Sequence, residues 1–217
     1  MPNNHYHHLV FGDRALARQQ RNGSFVAYGA ETRRDDDGPA PLDQRAVNLL
    51  VESFQFHLAT VTEGGWPYVQ YRSGPPGFIH HLGGSRIGFA DHRGNAQYVS
   101  IGNIETNGRV AMFVADYPRR RRVKLFGHAT VVEAHDDPQL LDALRQVGDS
   151  RISAHCERSI VIDVEALDWN CSRSMVPQYT QEQVSELTAG YISAIDDLRA
   201  EVTELRRQLT QPEPTSE

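Results

Sequence analysis

Apolar and polar residues alternate at the two-residue spacing of β-strands through most of the middle of the chain. Residues 55–62 and 66–73 flank the turn residues Glu63, Gly64 and Gly65, and this pattern predicts a β-hairpin. Further strands are predicted at 86–90, 109–117, 122–134 and 159–167, with a bulge at Gly127. Several antiparallel strands with few helices predict a small barrel, in a fold that is mainly β with helices (α+β).

Helical spacing of apolar residues appears on both sides of this β-rich part. The predicted helices cover 13–21, 45–54 and a segment that begins at Asp137-Pro138. The helix over 45–54 is expected to pack on the sheet. Another helix follows the third strand, and it is expected to start at Ala96 with Asn95 as its cap and to end at Asn107-Gly108.

The predicted C-terminal helix, residues 181–210, carries a narrow stripe of apolar residues. The stripe consists of Tyr191, Ile195, Leu198, Val202, Leu205 and Leu209. Their spacings of 4, 3, 4, 3 and 4 are those of heptad a and d positions, which predicts a coiled coil and self-association. The alternative is an amphipathic helix that packs on its own domain. Residues 211–217 contain Pro212 and Pro214 and are predicted to form a disordered tail.

Length and charge narrow the class of protein. A chain of 217 residues fits one domain with extensions, and a net charge of −6 argues against a general nucleic-acid surface. No apolar run reaches the length of a membrane span, and the N-terminus lacks a secretory apolar region, so a soluble, cytoplasmic protein is expected. Cys156 and Cys171 form no CxxC pair, which argues against a disulfide scaffold or a structural zinc site.

Residues 1–41 have the composition of an N-terminal extension and linker. His5, His7 and His8 lie close together, but no carboxylate or cysteine is spaced to complete a metal site, and terminal histidines are usually solvated. Charges of both signs followed by glycine and proline predict that residues 31–41 lie over the surface. The folded domain is therefore predicted to begin at Leu42.

Polar residues cluster where the strand over 86–90 ends. The segment from Asp91 through Arg93 and Gly94 to Asn95 leads into the helix predicted to follow it. A helix N-terminus offers unpaired N–H groups and a favourable dipole, and an arginine beside it adds positive charge, so the turn suits a phosphate group. Any strand-to-helix turn can have this pattern, and a purely structural turn is the alternative interpretation.

A second polar stretch occupies the strand over residues 67–73. Tyr68, Gln70 and Arg72 alternate with apolar and small residues, so one face of the strand carries an amide and a guanidinium group. Residues 119–122 are four consecutive arginines, which predict either a solvated hairpin loop or a ligand contact. His80 and His81 follow a Pro-Pro turn and could act as acid or base, although exposed loop histidines are the more ordinary interpretation.

Four separated motifs together resemble one known family. They are FHLATVTEGGWPYVQYRSGPPGF, FADHRGNAQYVSIGNIETNGRVAMF, RRVKLFGHATVVE and DWNC, in that order before the C-terminal helix. The chain resembles the predicted flavin-nucleotide-binding proteins related to pyridoxamine 5′-phosphate oxidase. This resemblance implies an antiparallel split β-barrel over residues 42–180, FMN as cofactor, and a homodimer with FMN at the subunit interface.

The resemblance also assigns cofactor contacts residue by residue. The positions that match the family's FMN-binding segments are Gln70, Tyr71, Arg72, Ser73, Ala90, Asp91, Arg93, Asn95, Gln97 and Arg122. Where the oxidases carry a serine, arginine and lysine cluster, this chain has Asn95 and Gln97. Arg122 stands where the family usually has an amide. Trp169, Arg173 and His81 are candidates for a substrate pocket, in a context unlike that of the oxidases.

These observations lead to three expectations about function. The first is an FMN-dependent oxidoreductase that acts on a small molecule, with no catalytic residue identified because the flavin itself performs the hydride chemistry. The second is a flavin carrier or sensor without rapid turnover. The third is a split barrel that binds another ligand, haem or a deazaflavin, or none. A serine hydrolase is not expected, because the chain contains no GxSxG motif.

Overall fold

A computed structural model describes residues 3–209, and its centre is one seven-stranded antiparallel sheet. The strands lie in the order β2-β1-β5-β6-β9-β4-β3. Their bounds are β1 Gln55–Val61, β2 Pro67–Ser73, β3 His80–Gly83, β4 Arg86–His92, β5 Arg109–Asp116, β6 Arg121–Glu133 and β9 Cys156–Trp169. A separate two-stranded ribbon is formed by β7 Gln146–Val147 and β8 Ser150–Arg151.

Six α-helices and one 3₁₀ turn accompany the strands in the described part of the chain. Their bounds are α1 His5–Val10, α2 Asp13–Arg21, the 3₁₀ turn Gly29–Arg33, α3 Gln44–Glu52, α4 Val99–Asn107, α5 Pro138–Arg145 and α6 Gln181–Leu209. Two helices begin where the sequence supplies a capping aspartate. Asp43 accepts the Ala46 N–H at 2.7 Å, and Asp137 accepts the Leu140 N–H at 2.8 Å.

The sheet curls around an apolar core but does not close. Within residues 3–209, β2 and β3 are the two edge strands and are not paired with each other, so the barrel is split along one side. Phe56, Phe89 and Ile160 are almost fully buried on the inner face, and the Phe56 ring contacts the Phe89 ring at 5.1 Å between centroids. Leu49 of α3 and Leu144 of α5 extend this core. The predicted α+β fold with an antiparallel split barrel is confirmed.

The predicted bulge at Gly127 is also confirmed. The pairing of β6 with β9 shifts register between Phe126 and Gly127. A Cβ atom on Gly127 would lie 2.5 Å from the carbonyl oxygen of Asp163. Glycine is therefore required here because the neighbouring backbone comes too close for a side chain.

Three local predictions about the region around the third predicted strand were wrong. The central helix starts at Val99 rather than Ala96, because Ala96 and Tyr98 both adopt positive φ angles, of 57° and 53°. Asn95 does not cap that helix, since its Oδ1 accepts the Gln97 N–H at 3.2 Å instead. His80 and His81 were expected in a loop, but both lie in the short strand β3.

The N-terminal segment is held on the barrel by a buried histidine. His5 is 8% exposed, and its Nδ1 and Nε2 atoms lie 2.8 Å from Asp36 Oδ1 and 3.3 Å from Glu165 Oε2. The Tyr6 ring packs on Phe126 of β6 at 5.7 Å. The expectation that the terminal histidines are solvated was therefore wrong for His5. No group of three or more His, Cys, Asp or Glu side chains within residues 3–209 could hold a metal ion.

The described residues divide into two compact units, one that ends at Met175 and one that begins at Val176. The second unit consists mainly of α6, whose 29 residues include none that is buried. The predicted disordered tail, 211–217, lies outside the described residues. None of the helices between residues 3 and 209 has the length and apolar character needed to cross a membrane.

Candidate functional site

A polar cavity of about 230 Å³ lies between β2 and the segment that follows β4. The lining residues are Tyr68, Gln70, Arg72, Asp91, His92, Arg93, Gly94, Asn95, Gln97, Tyr98, Val99, Ser100 and Ile101. The first three come from alternate positions of β2 and the others from one continuous run, apart from Ala96, between the end of β4 and the first turn of α4. The two polar stretches identified in the sequence therefore meet at one cavity.

Side chains of β2 alternate between the two faces of the strand, and those on one face line this cavity. Tyr68, Gln70 and Arg72 are half-buried and line it, while Tyr71 and Ser73 lie between and beyond them on the more exposed positions of the strand. The Tyr68 hydroxyl donates to Gln70 Oε1 at 2.7 Å, which fixes the orientation of the amide. One face of β2 thus presents hydroxyl, amide and guanidinium groups in sequence, as the pattern predicts.

Arg72, Asp91 and Arg158 form a buried ionic cluster beside the cavity. Arg72 Nη1 lies 3.1 Å from Asp91 Oδ1, and Arg158 Nη1 lies 3.4 Å from Asp91 Oδ2. Glu133 and Glu157 also pair with Arg158, at 2.9 and 3.0 Å. Since Arg72 belongs to β2 and Asp91 to β4, the Arg72–Asp91 contact spans the two sides of the split barrel.

Burial controls the electrostatics of this cluster. Asp91 is 3% exposed, and desolvation raises its pKa above the ordinary value, although the charges of Arg72 and Arg158 act in the opposite direction. Arg72 Nε is buried and has no hydrogen-bond partner within residues 3–209. Because the guanidinium carries five N–H donors and Asp91 occupies one side of it, Arg72 has donor capacity left for a bound anion.

The loop between β4 and α4 has an unusual backbone. Gly94, Ala96 and Tyr98 have φ angles of 56°, 57° and 53°, whereas the intervening Asn95 and Gln97 do not have positive φ. Left-handed conformations in non-glycine residues cost about 1–3 kcal/mol each, so the surrounding structure must impose them. The Ala96 and Gln97 N–H groups already donate within the loop, to the Arg93 carbonyl at 3.3 Å and to Asn95 Oδ1 at 3.2 Å. The loop therefore places the Arg93, Asn95 and Gln97 side chains at the cavity rather than offering these two N–H groups to a ligand.

The first turn of α4 adds further donors. Gly102 donates the first intrahelical bond, to the Tyr98 carbonyl at 2.9 Å, so the N–H groups of Val99, Ser100 and Ile101 have no partner within the helix. All three residues line the cavity, and no side chain caps this helix end. The positive end of the helix dipole therefore faces the same space as Arg72.

The cavity combines cations, amides and backbone donors, which is the donor set that a phosphate group requires. Arg93 adds an exposed cation at the rim, where its side chain is 61% exposed and its Nε lies 3.4 Å from Glu157. Pockets that enclose a drug-sized ligand usually measure about 300–1,000 Å³. At about 230 Å³, this cavity is smaller than that range.

Four of the ten cofactor contacts predicted from the resemblance do not line this cavity, namely Tyr71, Ser73, Ala90 and Arg122. Tyr71 donates its hydroxyl to Gln55 Oε1 at 2.9 Å on β1, and Ser73 is exposed at the end of β2. Ala90 is 4% exposed and belongs to the core. The predicted contacts that do line it are Gln70, Arg72, Asp91, Arg93, Asn95 and Gln97.

Arg122 lies away from the cavity, in the β5–β6 hairpin, where residues 119–122 are all arginine. Its Nη2 donates to the Cys171 carbonyl at 3.1 Å, and Arg120 Nη2 donates to the Ser172 carbonyl at 3.0 Å. Arg121 pairs with Asp116 at 2.6 Å. Arg119 Nη1 also lies 3.2 Å from Asp116 Oδ2, so all four arginines in the predicted solvated loop are engaged with neighbouring backbone or carboxylate groups.

The three candidates for a substrate pocket also lie outside the 230 Å³ cavity. The Trp169 ring is covered by the Arg45 guanidinium at 3.8 Å and lines a different cavity of about 470 Å³. The Arg173 N–H donates to Cys171 Sγ at 3.3 Å. His81 Nε2 lies 3.1 Å from the Gly84 carbonyl oxygen. Their part in substrate binding stays a prediction.

Sequence reasoning missed several residues of the site. Tyr98 and Ser100 line the cavity, but neither has a local signature that distinguishes it from an ordinary helix residue. Arg158 is 8% exposed and was not singled out. Its signal was available, because it lies two residues before the apolar run of β9 that begins at Ile160, and a cation at the start of a buried strand requires a carboxylate partner.

The fold and the cavity together define a split-barrel protein with a donor-rich polar site beside its open side. The family model described as pyridoxamine 5′-phosphate oxidase matches residues 42–179, more than half of the 217-residue chain. The chain belongs to the pyridoxamine 5′-phosphate oxidase family, which confirms the resemblance seen in its motifs.

Several solved structures are similar to this chain. A putative pyridoxamine 5′-phosphate oxidase from Lactobacillus delbrueckii is 23% identical, with 60% of this chain and 98% of that chain covered and a TM-score of 0.44. HupZ from Group A Streptococcus is 15% identical, with coverage of 64% and 100% and a TM-score of 0.47. An FMN-binding protein from Syntrophomonas wolfei is 10% identical, with coverage of 72% and 97% and a TM-score of 0.46. No curated protein matches the chain.

Proposed function

We propose that this protein is an FMN-binding flavoprotein that acts as an FMN-dependent oxidoreductase on a small molecule. The observation that carries the proposal is the convergence of the Arg72 guanidinium, the strained 94–98 loop and the N-terminus of α4 on one cavity. Membership of the pyridoxamine 5′-phosphate oxidase family supports FMN as the ligand that this donor set serves.

The residues present fit the phosphate end of FMN. A phosphate group that leaves water needs cations and N–H donors to replace its hydration. Arg72 and Arg93 provide the cations, and the N–H groups of Ser100 and Ile101 provide donors at a helix N-terminus. The negative charge of Asp91 does not oppose this binding strongly, because Arg72 and Arg158 flank its carboxylate.

The size of the cavity suggests how the rest of the cofactor is accommodated. A volume of about 230 Å³ is less than a whole flavin nucleotide needs. We therefore expect the remainder of FMN to extend out of the cavity, where a second copy of the chain covers it. This arrangement agrees with the homodimer and interfacial FMN that the family resemblance implies.

Bound FMN would supply the hydride chemistry, and the protein would hold and orient it. In this account Gln70 and Tyr68, whose mutual hydrogen bond fixes both side chains, orient the cofactor along β2. Arg72 and the α4 N-terminus hold its anionic end. The chain thereby contributes binding, orientation and electrostatics to a reaction that the cofactor carries out.

Titration of the flavin-free protein with FMN, followed by flavin fluorescence, tests the proposal. Arg72→Ala and Asn95→Ala should each weaken FMN binding about ten- to a hundred-fold, because charge-assisted hydrogen bonds are worth about 1.5–3 kcal/mol. Arg86→Ala is the matched control, since Arg86 also lies on a strand and pairs with a carboxylate but does not line the cavity. Unchanged affinity in both site variants would refute the assigned site.

The same titration with other ligands, followed by reduction and reoxidation of the bound FMN, distinguishes the other functions considered. If a deazaflavin or haem binds more tightly than FMN, that ligand is the cofactor and FMN is not. Tight, stoichiometric FMN that is not reoxidised by any small-molecule acceptor after reduction would identify a carrier or sensor.

A further inference from the structure

The apolar stripe of α6 is exposed along its whole length. Its six members, from Tyr191 to Leu209, are 46–86% exposed, and none of the 29 residues of the helix is buried. Contiguous apolar surface of this kind marks an interaction site. A long helix is stabilised in water mainly by packing of its apolar face, so α6 needs a partner that matches a narrow stripe.

We propose that two copies of this chain pair through α6 as a parallel, in-register, two-stranded coiled coil. The stripe assigns Ile195, Val202 and Leu209 to heptad position a, and Tyr191, Leu198 and Leu205 to position d, so its two central heptads carry a β-branched residue at a and leucine at d. β-branched residues at a combined with leucine at d favour two strands over three or four. The side chains at the seam therefore select both the occupant, a second copy of α6, and the number of strands.

The residues that flank the stripe select the orientation. In a parallel dimer, each g residue faces the e residue of the next heptad on the other helix. Glu201 at g then faces Arg206 of the second copy, and Leu187 at g faces Ile192 of the second copy. The two-fold symmetry repeats both contacts. Unlike charges are matched at the first of these contacts and apolar side chains at the second, whereas the third g position, Ala194, faces Arg199 without either kind of match.

An antiparallel dimer matches the same edges poorly. With residues 184–209 of both helices fully overlapped, e residues face e residues and g residues face g residues. Ile192 then faces Arg199, and Leu187 faces Gln208. Each apolar flank meets a polar side chain and the Glu201–Arg206 contact is lost, so the parallel arrangement is preferred.

Parallel pairing has a structural consequence. It brings the N-terminal ends of the two α6 helices together, so both barrel units are attached at the same end of the coiled coil. The two barrels are then held at a high effective concentration whether or not they bind each other tightly. This inference is independent of the flavin proposal, and flavin content plays no part in its test.

Disulfide formation between identical positions tests both the pairing and its direction. In the full-length chain with Cys171→Ser, a Leu205→Cys substitution places a thiol at d, where two parallel in-register helices bring the same residue close to its copy. Ala200→Cys places the thiol at f, on the outside of the coil, and is the matched control. Both positions are exposed on a helix remote in sequence from the barrel, so neither change disturbs the barrel core.

Oxidised glutathione should convert the Leu205→Cys protein to a covalent dimer at least about a hundred-fold faster than the Ala200→Cys protein, because pairing raises the local thiol concentration from micromolar to about millimolar. Equal rates for the two variants would overturn self-pairing. Efficient cross-linking only in a mixture of Thr188→Cys and Leu205→Cys chains would overturn the parallel direction, since those residues meet in the antiparallel alignment. In the parallel dimer, those two positions are about 25 Å apart along the helix axis.

Discussion

Removal of the Arg72 side chain should destabilise the barrel by about 2 kcal/mol. Arg72→Ala leaves Asp91, which is 3% exposed, with Arg158 at 3.4 Å as its remaining cationic partner beside the cavity. Breaking a fully buried ion pair costs about 3–5 kcal/mol, whereas an exposed pair contributes about 0–1 kcal/mol. The Arg72 side chain is 20% exposed and Asp91 keeps one partner, so the expected loss lies between these limits.

Urea unfolding of the flavin-free protein, followed by circular dichroism, measures this loss as a change in the free energy of unfolding. Arg86→Ala is again the control, because the Arg86–Asp163 pair has a similar separation of 3.0 Å but side chains that are 56% and 48% exposed. The control should lose less than about 1 kcal/mol.

A second substitution separates the lost contact from the charge it leaves behind. Adding Asp91→Asn to Arg72→Ala should recover part of the stability, because a neutral amide is less costly to bury than an unpaired carboxylate. If Arg72→Ala costs no more than the control, or if the double variant is less stable than Arg72→Ala alone, the buried cluster does not hold the split side of the barrel as described.

Three further substitutions test other parts of the fold. Asp43→Ala removes the cap of α3 and should cost about 1 kcal/mol in urea unfolding, with an unchanged m-value. Gly127→Ala should cost about 1–3 kcal/mol because its Cβ would approach a carbonyl oxygen of β9 at 2.5 Å, whereas Gly102→Ala, in an open helical position, should stabilise by about 1 kcal/mol; equal effects would refute the bulge argument. Burial lowers the pKa of His80 below its ordinary 6.5, so the unfolded chain takes up a proton before the folded chain does, and stability should fall as the pH drops through 6.5. His80→Gln should remove that part of the pH dependence, and an identical pH profile would show that His80 does not contribute.

Much of the fold was predictable because it depends on local pattern. The alternation that places Tyr68, Gln70 and Arg72 on one face follows from the two-residue period of a strand, and it holds in the structure. The helix cap at Asp137 and the bulge at Gly127 likewise follow from residue types with strong local preferences. Such features can be predicted without knowing how the rest of the chain folds.

The remainder depends on contacts between residues that are distant in sequence. Ala96 and Tyr98 adopt left-handed conformations that neither residue favours, so the late start of α4 is imposed by its surroundings. His5 contacts Asp36 and Glu165, which belong to other segments of the chain. No local sequence pattern predicts these contacts or the burial of His5. The segments that line the cavity could therefore be identified from the sequence, but the ionic cluster beside it and the loop geometry could not.

The visible absorption spectrum of the protein, purified without added cofactor, tests the central proposal most directly. Chromatography of the small molecule released by heat identifies what is bound. The account predicts a flavin spectrum and about one FMN per chain, retained in a site built around Arg72. A colourless protein that also fails to bind added FMN would contradict it, and the cavity would then have to be assigned to a different anionic ligand.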